Sequence, residues 1–179
     1  GFLIGIYYGR QDLVPMRAGL QIAAATSGAL DAAYNRPPYP GEKPLRVIHR
    51  DIKPSNIIIT PSGRAKLVDL GLARKDYSES ANELTVAGTT LGTFDYISPE
   101  QARGRSDVDI RSDIYSLGVM LYEILCGKVP FTGDSEWEVL RQHENVKPVL
   151  PAHLTAIERT VLQGCLAKDP ELRFQSVDQ

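Results

Sequence analysis

The sequence predicts a mainly α-helical fold that contains one short β-hairpin. Two short apolar runs, at residues 57–60 and 65–68, are separated by Pro61, Ser62 and Gly63, a spacing typical of a hairpin. The second half of the chain has several segments that start with helix-capping residues and continue with apolar residues at helical spacing. A hydrophobic content of 42% in 179 residues excludes a disordered chain and suits one globular domain.

The first half of the chain predicts one long helix and two loops. The alanine-rich stretch from Met16 to about Tyr34 has helical composition, with Gly28 as its weak point. Residues 35–44 carry four prolines and a glycine, so they cannot continue the helix and should form a surface loop. Residues 74–90 are polar, which predicts a long exposed loop.

The longest apolar pattern of the second half predicts a buried central helix. Residues 112–126 carry apolar side chains around nearly the whole circumference of a helix, so most of its sides must be covered. Gly127 follows as a stop signal. A short helix should begin earlier, because Ser98, Pro99 and Gln101 supply an N-cap, a proline at the first helical position and a capping-box glutamine.

Two further capping boxes predict two more helices. Ser135 pairs with Glu138, and Thr155 pairs with Glu158, each at the spacing of an N-cap residue and its third helical residue. The helix that follows Thr155 is expected to bury one face, which carries Ile157, Val161, Leu162, Cys165 and Leu166.

The charge and cysteine content restrict the class of partner and the compartment. The chain has 20 Lys and Arg against 22 Asp and Glu, and this balance argues against an electrostatically driven nucleic-acid partner. Two cysteines, Cys126 and Cys165, cannot form a disulfide framework, so we expect a cytoplasmic location. No apolar run approaches the roughly 18 residues of a membrane span. The alternative is that the chain is the cytosolic part of a longer membrane-anchored protein.

The polar residues around the hairpin form the strongest functional signal. The run from His49 to Asn56 places Asp51, Lys53 and Asn56 directly before the first strand, and Asp69 follows the second strand. Such a cluster suits a phosphate with its metal, because oxygen ligands hold Mg²⁺, a lysine neutralises phosphate charge and a carboxylate orients an attacking hydroxyl. A metal-dependent hydrolase that uses Asp51, Asp69 and His49 is the alternative from another class of enzyme.

Several spaced motifs resemble one family. The sequence HRDIKPSN at residues 49–56 resembles the catalytic loop of Hanks-type bacterial serine/threonine protein kinases, DLG at 69–71 resembles their DFG motif, and SPE at 98–100 resembles their APE motif. The resemblance implies that residues 1–179 are part of a protein kinase domain, its large C-terminal lobe. It further implies a catalytic loop at 49–56, an activation segment at 69–100 and a central buried helix at 112–126.

The resemblance also assigns roles to the cluster around the hairpin. Asp51 would be the catalytic base or the group that orients the hydroxyl, and Lys53 would contact the γ-phosphate of ATP. Asn56 and Asp69 would hold Mg²⁺. Ile58 would form the apolar floor beneath the adenine.

Residues of the catalytic loop and of the activation segment receive substrate-related and regulatory roles from the same resemblance. Thr93 would lie at the substrate hydroxyl, close to the catalytic loop. Arg50 marks the kinase type whose catalytic loop can pair with a phosphorylated residue of the activation segment. The candidate phosphorylation sites are Thr85, Thr89 and Thr90, for which an ordinary polar loop role is the alternative.

Three residues outside the cluster receive architectural roles from the resemblance. Asp113 would anchor the backbone of the catalytic loop from within the central helix. Glu100 would pair with Arg173 near the end of the chain.

The implied activity is ATP- and Mg²⁺-dependent phosphorylation of Ser or Thr in protein substrates. The 48 residues before His49 contain no glycine-rich loop, and their single lysine, Lys43, lies in the proline-rich loop. We therefore expect the lobe to require a small N-terminal lobe in the same polypeptide, and the 179 residues alone to bind ATP weakly and not to turn over. The alternative is a truncated pseudokinase that acts as a regulatory or protein-binding module.

Overall fold

The computed structural model describes residues 2–3, 15–69 and 94–177 of the chain. The described residues form five α-helices: α1 (Met16–Asn35), α2 (Pro99–Ala102), α3 (Ile110–Cys126), α4 (Glu136–Asn145) and α5 (Ala156–Cys165). They also form three strands, β1 (Phe2–Leu3), β2 (Ile57–Ile59) and β3 (Ala65–Leu67), and two short 3-10 helices, Pro54–Asn56 and Pro170–Leu172. The prediction of a mainly α fold with a short hairpin is confirmed.

The hairpin lies in a small antiparallel sheet with the strand order β1, β2, β3. β2 pairs with β3 in a register that sets Ile57 opposite Leu67. Gly63 makes the turn possible because its φ of 77° lies in the left-handed region. The third strand, β1, pairs with β2 and was not predicted from the sequence.

Helix α3 forms the centre of the fold. It starts two residues before the predicted position, because the side chain of Asp109 accepts a hydrogen bond from the Arg111 backbone N–H as an N-cap. It ends at Gly127, whose φ is 73°. Helix α1 packs against one side of α3 and α5 packs against another. The resulting core clusters bury Tyr115, Val119, Met120, Leu125 and Leu162, among others.

The helix caps follow the sequence with one exception. Ser98 with Gln101 and Thr155 with Glu158 each form a complete capping box. At α4 the Ser135 side chain accepts a hydrogen bond from the Glu138 N–H, but the Glu138 carboxylate accepts from the Asp134 N–H instead. The predicted capping box of α4 is therefore only half formed.

Membrane crossing demands a helix that is both long and apolar, and none of the helices in the described ranges meets that demand. Cys126 and Cys165 are free thiols.

Candidate active site

The hairpin places Asn56 and Asp69 at the same end of the sheet, where β2 begins and β3 ends. Asn56 ends the 3-10 helix that leads into β2, and Asp69 lies two residues beyond the end of β3. The Val68 N–H donates to the Asn56 carbonyl at 2.9 Å, so the ladder extends one step past the hairpin. Because β2 and β3 are antiparallel, the start of one strand meets the end of the other.

The same end of the sheet brings together three side chains, those of Asp51, Lys53 and Asn56. The Lys53 Nζ lies 2.9 Å from the Asp51 Oδ2, and the two side chains are 20% and 18% exposed. The Asn56 Nδ2 donates to the same Oδ2 at 2.9 Å and to the Asp51 carbonyl at 2.8 Å. The Asp51 carboxylate is thus oriented by two neighbours while it stays accessible from solvent.

His49 lies beneath this cluster and is 1% exposed. Its Nε2 lies 3.0 Å from the Val68 carbonyl, and its Nδ1 accepts from the Asp51 N–H at 3.4 Å. Burial lowers the pKa of His49, and the Val68 hydrogen bond with the charges of Asp51 and Asp69 only partly opposes it. A neutral imidazole with Nε2 protonated satisfies both contacts and joins the catalytic loop to Val68, directly after β3.

These contacts argue against the metal-dependent hydrolase. Both ring nitrogens of His49 face backbone groups, so neither points at a metal position.

Asp113 anchors the loop from α3, as the resemblance implied. Its side chain is fully buried, and its two oxygens accept from the backbone N–H groups of His49 and Arg50, each at 2.7 Å. Burial raises the pKa of Asp113 to about 7, against the two N–H donors and the Arg50 charge, which favour the ionised form. The two acceptors hold Arg50 in the left-handed region, with a φ of 66°.

Gln101 contacts the same loop from the opposite side. Its Nε2 donates to the Arg50 carbonyl at 2.8 Å, while its Oε1 accepts from the Ser98 N–H at 3.2 Å. The sequence indicated only the capping contact, because the capping-box spacing is local and carries no information about a residue 51 positions away.

The ion pair between Glu100 and Arg173 is formed and buried. Two parallel N–H···O bonds of 2.7 Å join them, and the Ser112 hydroxyl also donates to Glu100. Burial by itself would raise the pKa of Glu100, but Arg173 and Ser112 hold it below its usual value. The pair fixes α2 to the segment that follows α5.

The remaining predicted residues differ in how the structure places them. Ile58 lies in β2, half buried, opposite Lys66 of β3. Arg50 is half buried, and none of the described carboxylates forms an ion pair with its guanidinium. Four predicted residues lie outside the described ranges: Thr85, Thr89, Thr90 and Thr93.

The oxygen atoms of Asn56 and Asp69 at this end of the sheet are suitable ligands for a hard divalent cation. The Asn56 amide is oriented by its two bonds to Asp51, which use the Nδ2 and leave the Oδ1 as the acceptor end. The Asp69 residue is exposed at the neighbouring strand end. One carboxylate and one amide oxygen are a suitable protein set for Mg²⁺, which usually keeps several of its waters.

Comparison with known proteins agrees with the motifs. Residues 22–178 match the protein kinase domain. The chain is 47% identical over 134 residues to serine/threonine-protein kinase PknB of Mycobacterium tuberculosis, an alignment that covers 73% of this chain and 21% of that protein. The relative from Mycobacterium leprae with the same name is 38% identical over 167 residues, or 91% of this chain and 25% of its own length.

A third relative is serine/threonine-protein kinases PknA of Corynebacterium glutamicum, which is 45% identical over 131 residues. That alignment covers 73% of this chain and 27% of the relative. The chain therefore spans between a fifth and about a quarter of the length of these relatives.

Proposed function

This chain belongs to the protein kinase family, and on that premise we propose that it is the catalytic large lobe of a serine/threonine kinase. In the proposed reaction the γ-phosphate of ATP passes to Ser or Thr hydroxyls of protein substrates. The observation that carries the proposal is the contact of Asp51 with Lys53 and Asn56 at one end of the hairpin. Asp69 follows β3 at that same end. The names of the relatives, which are serine/threonine kinases, support the substrate class.

Asp51 is the proposed group that orients the substrate hydroxyl and accepts its proton. Its Oδ2 already receives Lys53 and Asn56, so the carboxylate is held in one orientation before substrate arrives. Its 18% exposure leaves a path for a hydroxyl. A proton acceptor fixed in this way contributes by positioning, which is the main protein contribution to phosphoryl transfer.

Lys53 has the proposed role of neutralising charge on the phosphate in transit. Its ammonium lies 2.9 Å from the Asp51 carboxylate, so a phosphate that contacts Lys53 is also close to the hydroxyl that Asp51 orients.

Asn56 and Asp69 are the proposed Mg²⁺ ligands. When it is bound, Mg²⁺ neutralises the charge of the ATP phosphates and fixes their orientation. The contribution of the chain is to hold the Asn56 amide by its two bonds to Asp51 and to present Asp69 from the next strand end, with a φ of 58°. The left-handed backbone at Asp69 is one that few non-glycine residues adopt, which agrees with a functional constraint there.

Further parts of the domain are assigned on the resemblance. We assign the catalytic loop to 49–56 and the activation segment to 69–100, with Ile58 beneath the adenine and Thr93 at the substrate hydroxyl. A small lobe in the same polypeptide, which supplies the glycine-rich loop and the strand lysine, would complete the ATP site. A cytoplasmic location agrees with the two free thiols.

A phosphotransfer assay tests the proposed function. The full-length product of the gene is incubated with Mg²⁺ and γ-labelled ATP, with a basic protein as substrate. We expect label on Ser or Thr, and a rate that falls about 10²- to 10⁴-fold in Asp51→Asn, the usual contribution of a positioned proton acceptor. The matched control is Asp134→Asn, at an exposed aspartate before α4, which should keep the wild-type rate.

Three outcomes would overturn the proposal. No label from the wild type would favour the pseudokinase alternative, and transfer of phosphate only to water would favour a hydrolase. A full rate in Asp51→Asn would remove the assigned role of Asp51. The 179-residue chain assayed by itself should show no turnover, and Asp51-dependent turnover by that chain would contradict the need for a small lobe.

A further inference from the structure

The side chain of Gln101 connects two segments that the proposed reaction depends on. Through its Oε1 it caps α2, where it accepts from the Ser98 N–H at 3.2 Å. Through its Nε2 it donates to the Arg50 carbonyl at 2.8 Å. Arg50 directly precedes Asp51, so this bond reaches the backbone one residue away from the proposed proton acceptor.

The chemistry of both contacts requires an amide. The Ser98 N–H is a donor and needs an acceptor, whereas the Arg50 carbonyl is an acceptor and needs a donor. Among the ordinary side chains of this length, glutamine offers one of each on a single planar group. The flipped orientation would set the amide oxygen against the Arg50 carbonyl, so the hydrogen-bond network fixes which end points where.

The backbone at Arg50 needs support, because its φ of 66° is a conformation that side-chain-bearing residues rarely adopt. Asp113 supplies part of that support by accepting from the N–H groups of His49 and Arg50. The Gln101 amide supplies the other part by donating to the Arg50 carbonyl. The peptide units on both sides of this strained residue are thus held, one from α3 and one from α2.

We propose that Gln101 is a positioning residue for phosphotransfer, which holds the Arg50 carbonyl and through it the Asp51 carboxylate in the reactive conformation. This inference rests on the proposed kinase function. The carboxylate lies directly after the held peptide unit, so a rotation at Arg50 moves it away from Lys53 and from the substrate hydroxyl. Displacements of about 1 Å at such a group reduce turnover by up to about a hundredfold.

The chain itself shows how to separate this role from helix capping. In α5 the capping box uses a glutamate at the corresponding position, where Glu158 accepts from the Thr155 N–H at 2.7 Å. A glutamate therefore caps a helix here as well as a glutamine does. The change Gln101→Glu keeps an acceptor for the Ser98 N–H. It replaces the donor to the Arg50 carbonyl with a carboxylate oxygen, so that hydrogen bond is lost.

Steady-state kinetics of the full-length gene product test the proposal. We expect Gln101→Glu to lower kcat about ten- to a hundredfold while the KM for ATP stays within about twofold of the wild type. The midpoint of thermal unfolding should stay near that of the wild type, because the cap is kept. The matched control is the reverse exchange in α5, Glu158→Gln, which should leave kcat, KM and the midpoint unchanged.

A second measurement separates this inference from the proposed function. Amide hydrogen exchange is followed for the peptides that cover residues 46–56 in both variants. If the Gln101 amide holds the loop, exchange at Arg50 and Asp51 should accelerate in Gln101→Glu and not in Glu158→Gln. This readout does not need activity, so it decides the positioning role even if the wild type transfers no phosphate.

Two outcomes would overturn the inference, and a third would overturn only the proposed function. An active wild type with an unchanged kcat in Gln101→Glu removes the positioning role and leaves the kinase function intact. Unchanged exchange at residues 49–52 removes it whether or not the wild type is active. A wild type without activity but with accelerated exchange in Gln101→Glu would sink the kinase function and keep Gln101 as the residue that holds the loop.

Discussion

Glu100 and Arg173 lie 73 residues apart in the chain and meet in a buried, bidentate ion pair whose two N–O distances are both 2.7 Å. Arg173 also donates to the carbonyls of Arg111 and Ala167, so its guanidinium connects α2, the start of α3 and the segment after α5. The pair and these bonds therefore join three segments that are far apart in the sequence.

Loss of Arg173 should strongly destabilise the fold. The change Arg173→Met leaves the Glu100 carboxylate buried without its partner, and removal of one member of a buried pair costs about 3 to 5 kcal/mol. Urea unfolding followed by circular dichroism measures the free energy of unfolding. The matched control is Glu171→Gln, which breaks the ion pair with Arg111 in which the Glu171 side chain is 74% exposed.

The exposed pair should contribute less than about 1 kcal/mol, because solvent screens it. Equal losses of stability in Arg173→Met and Glu171→Gln would show that the buried pair is not a principal link of the fold.

Two glycines in helices should respond oppositely to alanine. A Cβ at Gly118 would lie 2.4 Å from the Cβ of Cys165, because α3 and α5 approach closely there. We expect Gly118→Ala to destabilise the fold by about 1 to 3 kcal/mol through overpacking. A Cβ at Gly28 in α1 meets no atom within 4 Å, so Gly28→Ala should stabilise the fold by up to about 1 kcal/mol through helix propensity.

Thermal and urea unfolding of both variants measure these effects. A stable Gly118→Ala protein would mean that α5 can shift away from α3 at little cost, and a destabilised Gly28→Ala protein would contradict the open surroundings of Gly28.

His143 should make stability depend on pH. Burial lowers its pKa to about 3 from 6.5, and the Lys168 ammonium adds to this effect. Between these values the unfolded chain binds a proton that the folded chain does not, so the free energy of unfolding falls as the pH falls through this window. From pH 7.5 to 5.5 the contribution of His143 is a loss of about 1.4 kcal/mol.

The test compares the wild type with His143→Gln by urea unfolding at pH 7.5 and 5.5. The wild type should lose about 1.4 kcal/mol more than the variant over this interval. The same loss in both proteins would mean that other groups cause the pH dependence.

Phosphorylation of a threonine in the activation segment should regulate activity through Arg50. We expect mass spectrometry of the full-length protein, after incubation with ATP, to find phosphate on Thr85, Thr89 or Thr90. A phosphate there can accept two hydrogen bonds from the Arg50 guanidinium, for which the described residues provide no carboxylate partner. Arg50→Gln should therefore remove any gain of activity that phosphorylation gives. Full activity with all three threonines unmodified would reject the hypothesis.

Local patterns predicted most of the secondary structure. The hairpin, α3 and the capping boxes of α2 and α5 each depend on residues within a few positions of one another, so their signals are present in the sequence. The polar cluster of Asp51, Lys53 and Asn56 was recognisable for the same reason. The resemblance then extended the prediction to the Asp113 and Glu100 contacts, which no local pattern shows.

One expectation failed, and one choice stayed open, where the packing of distant elements decides. Ile157 was predicted on the buried face of α5 and is 77% exposed, because burial of that helix begins one turn later. No motif surrounds His143, so the sequence left a surface role and a packing role open. The structure gives it the packing role: it is fully buried, with its ring 5.8 Å from that of Tyr115 and 4.9 Å from that of Phe131. Helical spacing shows which residues share a face but not how far the neighbouring helix extends along it.

The sequence by itself determined the helices, the hairpin and the identities of the groups that the proposed chemistry uses. The tertiary structure alone decided that the Gln101 amide reaches the Arg50 carbonyl, 51 residues away, and that β1 pairs with β2. A hydrogen bond forms only when donor and acceptor approach to about 3 Å. Such an approach between distant segments is set by how α1, α3 and α5 pack, and a pattern of neighbouring residues carries no measure of it.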